Sequence, residues 1–238
     1  MFDFEERGSD SSFVELIWRN RSQNGGPFTS IAVSHWQLVV TVYEGRTTMT
    51  VRGPETKASH ALAPAGAEHF GVYFQVGTYI PQLPASRFTD GMVDLPQATG
   101  NSFWLGDSTW EYPTYENADL FVDRLVRAGL LVREGAVEAV LQGAWPDLSV
   151  RSLQRRFLHT TGLTFGAVRQ IERARRATLL LRGGASISET AFRAGYSDQP
   201  HLTRALKRYV GRTPGQLHEA AEPLQLSVLS NSHQFAPS

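Results

Sequence analysis

The chain has 238 residues, 41% apolar and 11% aromatic, with 23 basic against 23 acidic side chains. That length admits two domains with separate cores, and the apolar share excludes a disordered chain. There is no cysteine, which excludes disulfides, thiolate metal sites and cysteine nucleophiles, and no apolar run approaches the roughly 20 residues of a membrane span. The opening MFDFEERGSD lacks the basic-then-apolar order of a secretion signal, so a cytoplasmic location is expected.

The neutral total conceals a segregation of charge. Residues 145–215 hold 13 Lys and Arg against 4 Asp and Glu, a balance of +9, which leaves 10 against 19, or −9, for the remainder. A basic module joined to an acidic one fits a DNA-binding domain attached to a domain of another duty. On charge alone, a merely solvated basic face is an equally good reading.

Residues 13–104 read as β structure. The runs 13–18 (FVELIW), 35–43 (HWQLVVTVY), 46–52 (RTTMTVR) and 69–76 (HFGVYFQV) are rich in β-branched and aromatic residues. Glu44-Gly45 marks a hairpin between the second and third. In the last run Phe70, Val72, Phe74 and Val76 alternate with His69, Gly71, Tyr73 and Gln75, which predicts one buried face. Short strands parted by Gly, Pro and Ser clusters predict a small sandwich or barrel. Residues 77–94, with Pro81 and Pro84, interrupt the pattern. Trp36, Phe70, Phe74, Phe103 and Trp104 are read as core aromatics rather than a pocket lining. His35, His60, Glu68 and His69 include no His-x-His pair. Glu68 and His69, adjacent on a strand, point to opposite faces, so no metal, cofactor or catalytic residue is assigned.

Helical periodicity begins near residue 117. Asn117 is a capping residue for a helix with Ala118, Phe121, Val122, Leu125 and Val126 on one face. A second helix, about 133–142, carries Val137, Val140 and Leu141. These two serve either an interdomain or dimer contact or pack on their own domain. Ser149 opens a third helix with Leu153 and Phe157 inward, closed by Gly162. Thr164 caps a longer one reaching about Arg182, with Ala167, Ile171, Ala174, Thr178 and Leu181 on one side; its roughly 18 residues span about 27 Å.

Residues 186–214 then form a helix-turn-helix. Ser186 and Glu189 are spaced as a capping box, and Ile187, Ala191 and Ala194 give the first helix a narrow apolar stripe. Gly195 suits a left-handed stop. Asp198 caps the next helix, with Pro200 tolerated in its first turn. Leu202, Leu206 and Tyr209 or Val210 point back at the first helix. Gln199, His201, Thr203, Arg204, Lys207 and Arg208 face outward, as a DNA-reading unit requires.

Three segments in order, SLQRRFLHTTGLT, IERARRATLLL and AFRAGYSDQPHLTRALKRYVGRTP, strongly resemble the DNA-binding domain of AraC/XylS-type transcription regulators over about residues 135–217. The resemblance implies two helix-turn-helix units joined by a long helix, each offering a recognition helix to successive major grooves about 34 Å apart. It places Arg151, Gln154 and Arg155 at base-reading positions of the first recognition helix, and Gln199, His201, Thr203 and Arg204 at those of the second. Arg can read guanine and Gln adenine through paired hydrogen bonds. Arg156, Lys207 and Arg208 are assigned to phosphates. Four departures stand out: Pro146 shortens or displaces the first positioning helix, Pro200 replaces a hydrogen-bonding residue, Leu202 and Leu206 replace phenylalanines, and the usual Arg after Leu217 is missing. Residues 10–105 also resemble the cupin-like barrel that carries effector binding in such regulators.

The expected chain is therefore a multidomain α+β protein. A cupin-like β-barrel or sandwich occupies residues 1–112, a linking helix 113–132, an all-α double helix-turn-helix domain 133–218 and a tail 219–238. Its expected partners are double-stranded DNA and an unknown small-molecule effector, with RNA polymerase and a second copy of the chain as further ones, and no membrane. The alternatives are a barrel enzyme with an autoregulatory DNA-binding domain, or a non-specific DNA binder.

Overall fold

The computed structural model describes residues 2–219; the expected tail lies, from residue 220 on, outside them. The first part of the chain is stranded: β1 (Phe2–Arg7), β2 (Val14–Ser22), β3 (Gly26–Ser30), β4 (Gln37–Tyr43), β5 (Arg46–Arg52), β6 (Ser59–Ala63), β7 (Glu68–Phe74) and β8 (Thr78–Tyr79). A mixed stretch follows: α1 (Ala85–Phe88), β9 (Met92–Asp94), β10 (Gln97–Thr99), β11 (Ser102–Leu105), β12 (Ser108–Glu111), α2 (Ala118–Arg127) and β13 (Val132–Arg133). The remainder is helical: α3 (Gly135–Leu141), α4 (Val150–Thr161), α5 (Phe165–Arg182), α6 (Ile187–Arg193), α7 (Gln199–Tyr209) and α8 (Pro214–Glu219).

The main sheet has six antiparallel strands in the order β1-β2-β7-β4-β5-β9. Its two edges do not pair with each other among the described residues, so it does not close into a barrel; the sandwich form of the expectation is the one built. The β4–β5 hairpin turns at Glu44 and Gly45, with φ of 49° and 75°, the two positive values that a tight turn matching strand twist demands.

One face of this sheet is apolar through its central rows. Register places Ile17, Val72, Leu38 and Val51 in a row across β2, β7, β4 and β5, with Phe70, Val40 and Met49 in the next. These pack on Phe103, Leu105 and Trp110 of the β10-β11-β12 sheet and on Ala118, Phe121, Val122 and Leu125 of α2. Segment 113–132, read from sequence as a linking helix, thus contributes its apolar stripe to the sheet's own core. Asn117 does not cap α2 through its side chain; its Oδ1 instead accepts from the Thr114 amide at 2.8 Å. Trp36, Phe70, Phe74 and Phe103 are core residues, whereas Trp104 is exposed.

The second face departs from expectation. Alternation in β7 predicts a wet face at Gly71 and Tyr73, yet both are buried. The reason is the helical half, which packs there: Leu16, Trp18, Val39 and Tyr73 share a cluster with Ala174 and Leu181 of α5 and Leu202 and Leu206 of α7. Hydrogen bonds reinforce the junction. The Ala32 amide donates to the Tyr209 carbonyl at 2.7 Å and the Ala58 amide to the Arg208 carbonyl at 2.8 Å. The buried Trp36 indole N–H donates to the Thr160 carbonyl at 2.8 Å.

Gly71 makes this face possible, because a Cβ there would lie 2.4 Å from the Trp18 ring. Gly71→Ala should therefore lower the free energy of unfolding by about 1–3 kcal/mol through overpacking, read as a reduced urea midpoint at unchanged slope.

Candidate nucleic-acid interface

The first unit is α3 followed by α4. The Glu134 side chain caps α3 by accepting from the Ala136 amide at 3.3 Å, and α3 ends after seven residues, before the non-helical stretch containing Pro146. Val137 and Val140 of α3 meet Leu153 and Phe157 of α4 in one buried cluster with Leu163, Val168 and Ile171. Ser149 Oγ accepts from the Ser152 amide at 3.1 Å, and Gly162 closes α4 at a φ of 69°. With Leu153 and Phe157 inward, Arg151, Gln154 and Arg155 are left exposed. Arg156 is differently placed: its Nη1 lies 2.7 Å from Glu134 Oε1. Of the three residues assigned to phosphate it is, among the described residues, the one whose charge already has a carboxylate.

Thr164 Oγ accepts from the Ala167 amide at 3.2 Å and starts α5. Its 18 residues give the joining helix a length of about 27 Å. The second unit opens with Ser186 Oγ accepting from the Glu189 amide at 3.2 Å, while the Glu189 carboxylate pairs with Arg193 at 3.0 Å. Gly195 turns the chain at a φ of 74°. Asp198 Oδ1 then accepts from the His201 amide at 2.7 Å. This bond is the main reason that the Asp198 carboxyl lies below its ordinary range.

On α7, Leu202, Leu206 and Val210 are buried, while Arg204, Lys207 and Arg208 are exposed. Gln199 is exposed, its amide donating to Ser188 Oγ at 2.8 Å. Thr203 is half-buried. His201 is also half-buried, with Nδ1 3.1 Å from Ser197 Oγ and its ring edge-on to Tyr196 at 5.1 Å. The two helices thus present Arg and Gln side chains on solvent-facing sides whose opposite sides are fixed in a core. Basic groups held that way can meet phosphates and base edges.

Sequence reasoning missed the group that fixes α5. Arg175 is 3% exposed; its Nη2 lies 2.9 Å from Glu15 Oε1 on β2, and its Nη1 3.1 Å from Glu172 Oε1. His35 Nδ1 lies 3.3 Å from the other Glu15 oxygen, and Ser34 Oγ donates to Glu172 at 2.6 Å. Burial alone would raise the Glu15 carboxyl, but the Arg175 charge, aided by His35, carries it down to about 2. Burial likewise opposes the Arg175 charge, and Glu172 and Glu15 raise its pKa above the ordinary value despite this. The readable signal was position, since Arg175 falls four residues after Ile171 and three before Thr178, on the apolar stripe.

The remaining histidines of the sheet domain hold hydroxyl partners: His60 Nδ1 lies 3.3 Å from Thr29 Oγ1 and His69 Nδ1 3.0 Å from Thr41 Oγ1. Among the described residues no group of three or more His, Asp or Glu is placed to hold a metal.

Residues 147–220 match the family described as a helix-turn-helix domain. The HTH-type transcriptional regulator RipA of Corynebacterium glutamicum is 42% identical over 67 residues, and its Corynebacterium diphtheriae counterpart is 40% identical over 68. The C-terminal helices are an AraC/XylS-type helix-turn-helix domain. The matched stretches cover 28% and 29% of this chain and 20% of each RipA protein. Among solved structures, ToxT from Vibrio cholerae overlays 92% of this chain and 99% of its own at 8% identity, with a TM-score of 0.40. A fatty-acid-bound ToxT covers 93% and 97% at the same identity and score.

Arg175 secures this AraC/XylS-type domain to the sheet, and its loss would strand two largely buried carboxylates. Arg175→Met should cost about 3–5 kcal/mol of unfolding free energy. The Glu15 carboxyl titrates at about 2 instead of 4.5, so its stabilisation is complete above the higher value and is shed as pH falls towards the lower. Denaturant titrations at stepped pH should show that acid slope in the natural chain and a shallower one in Arg175→Met.

Proposed function

We propose that this protein is a sequence-specific, DNA-binding transcription regulator whose N-terminal sheet domain controls the AraC/XylS-type domain. The observation that carries this reading is the pair of side-chain-capped helices, α4 and α7, joined by α5 and each facing solvent with basic and amide side chains. The matched family and the RipA relatives support it. In this reading Arg151, Gln154 and Arg155 on α4, and Gln199, His201, Thr203 and Arg204 on α7, read bases, and Lys207 and Arg208, with Arg156, hold phosphates. The work is done by binding rather than by catalysis. Phosphate contacts supply affinity and salt dependence, and the two recognition helices supply choice of sequence.

The sheet domain receives the signal, and a small-molecule effector fits the separation of a sheet module from a basic reader. RNA polymerase and a second copy of the chain complete the proposed partners, and the cytoplasm is the proposed location. Among the described residues no helix is long and apolar enough to cross a membrane.

Selection of bound DNA from a random pool tests the reading. The expected result is an enriched motif with two elements about one helical turn apart; recovery of unenriched DNA would exclude a sequence-specific regulator. On the selected site Arg204→Ala should cost about 1–3 kcal/mol and relax preference at one base pair. Lys207→Ala should weaken all sequences alike and reduce the salt slope by about one unit. An equal loss on every sequence for Arg204→Ala would move that residue from base to phosphate.

A further inference from the structure

The second face of the main sheet is covered in two portions that leave a hollow between them. The helices cover Leu16 and Tyr73, which pair across β2 and β7. Further along, the next rows are Trp18, Gly71, Val39 and Thr50, then Asn20, His69 and Thr41. The two-stranded ribbon of β3 and β6 roofs these outer rows. A cavity of about 250 Å³ lies between, walled by the sheet rows and by Phe28 and Leu62 of the ribbon. Gly71, lacking a side chain, leaves room for the Trp18 ring that forms part of the wall.

The charge on these walls narrows what can enter. Arg52 is the one Lys or Arg in the lining, and its Nη2 is 2.6 Å from Glu55 Oε1. Glu55 is fixed in turn by Ser30 Oγ at 2.8 Å. Burial, and secondarily the Arg52 charge, hold the His69 imidazole below the usual histidine range, so the ring is neutral at pH 7. An anion placed here would meet no cation free of a carboxylate partner and would lose its hydration. One end is nonetheless polar, with Asn20, His69 and Thr41 in a single row. In the same wall, Trp18 Nε1 and Asn20 Oδ1 are a buried donor and acceptor without a partner among the described residues. Native structures rarely leave such groups unmatched.

We infer that this cavity binds an uncharged, mainly apolar small molecule whose hydroxyl- or amide-type group meets the Asn20, His69 and Thr41 row. Its role as the effector rests on the regulator reading above. The position also supplies a route to the DNA reader. Trp18 belongs to the cluster that packs on α5 and α7, and its ring meets that of Tyr73 at a tilt, 5.9 Å between centroids. Tyr73 meets His35 at 4.9 Å, and His35 reaches the Glu15 carboxylate that holds Arg175. An occupant that shifts the Trp18 ring therefore acts on a side chain in contact with the clamp on the joining helix.

The test is calorimetric titration of the full chain with two probes of one skeleton, 3-phenyl-1-propanol and 3-phenylpropanoate, at neutral pH. The alcohol should bind saturably, one per chain, and the carboxylate at least tenfold more weakly. Asn20→Leu should weaken the alcohol about five- to tenfold, the loss of one hydrogen bond. Thr41→Trp, which fills the polar end, should abolish binding while the thermal melt confirms a folded chain. No binding of the alcohol to the natural chain, or equal binding of the carboxylate, overturns the inference. Unchanged binding in both variants places the ligand elsewhere and also overturns it. The DNA selection on the same preparation separates the two readings. An enriched motif without alcohol binding sinks the cavity alone, and alcohol binding without a motif sinks the effector role alone.

Discussion

Arg175 is a full positive charge placed where a helix facing a sheet would ordinarily put an alanine or leucine. An isolated guanidinium there would be costly, so the surrounding groups are arranged around it. Glu15 comes from β2, Glu172 from the preceding turn of α5, and Ser34 and His35 from the loop before β4. Apolar packing alone tolerates sliding of one surface over another, whereas a guanidinium with two carboxylates has a fixed direction and register. The interface between sheet and helices is thereby given one geometry, and the cores on either side are built to that geometry.

The helical half was largely legible because its signals are local. Ser149, Thr164, Ser186 and Asp198 each cap a helix with the side chain that the sequence pointed to, and one oxygen reaching an amide three residues on requires no knowledge of the rest of the chain. The outward positions of Arg151, Gln154, Arg155, Arg204, Lys207 and Arg208 followed from the apolar period in the same way. Where a cap failed, at Asn117, the competing acceptor geometry was also local: the side chain serves the Thr114 amide in the preceding turn.

What escaped the sequence depends on partners far away in the chain. Alternation in β7 is genuine, but it reports only that Phe70, Val72 and Phe74 face one side; burial of Tyr73 depends on α5 and α7, a hundred residues on. Arg156 has the period of a surface residue and the chemistry of a phosphate ligand, and only the fold brings Glu134 to it. The open sheet is a similar case, since strand pattern alone does not decide whether β1 reaches β9. Long-range contact thus sets the surroundings of residues whose sequence neighbours report only their local pattern.

The carbonyls of Arg208 and Tyr209, in the last turn of α7, accept hydrogen bonds from Ala58 and Ala32 of the sheet domain. Helix ends normally leave such carbonyls to water or to their own capping turn. Here α7 completes its hydrogen bonding on the sheet side of the chain, so the two halves are not interchangeable parts. Transplanting the helical half onto another sheet domain would bare those carbonyls and the Leu202 and Leu206 cluster together. A chimera of this chain therefore has to carry the sheet's second face along with the helices that rest on it.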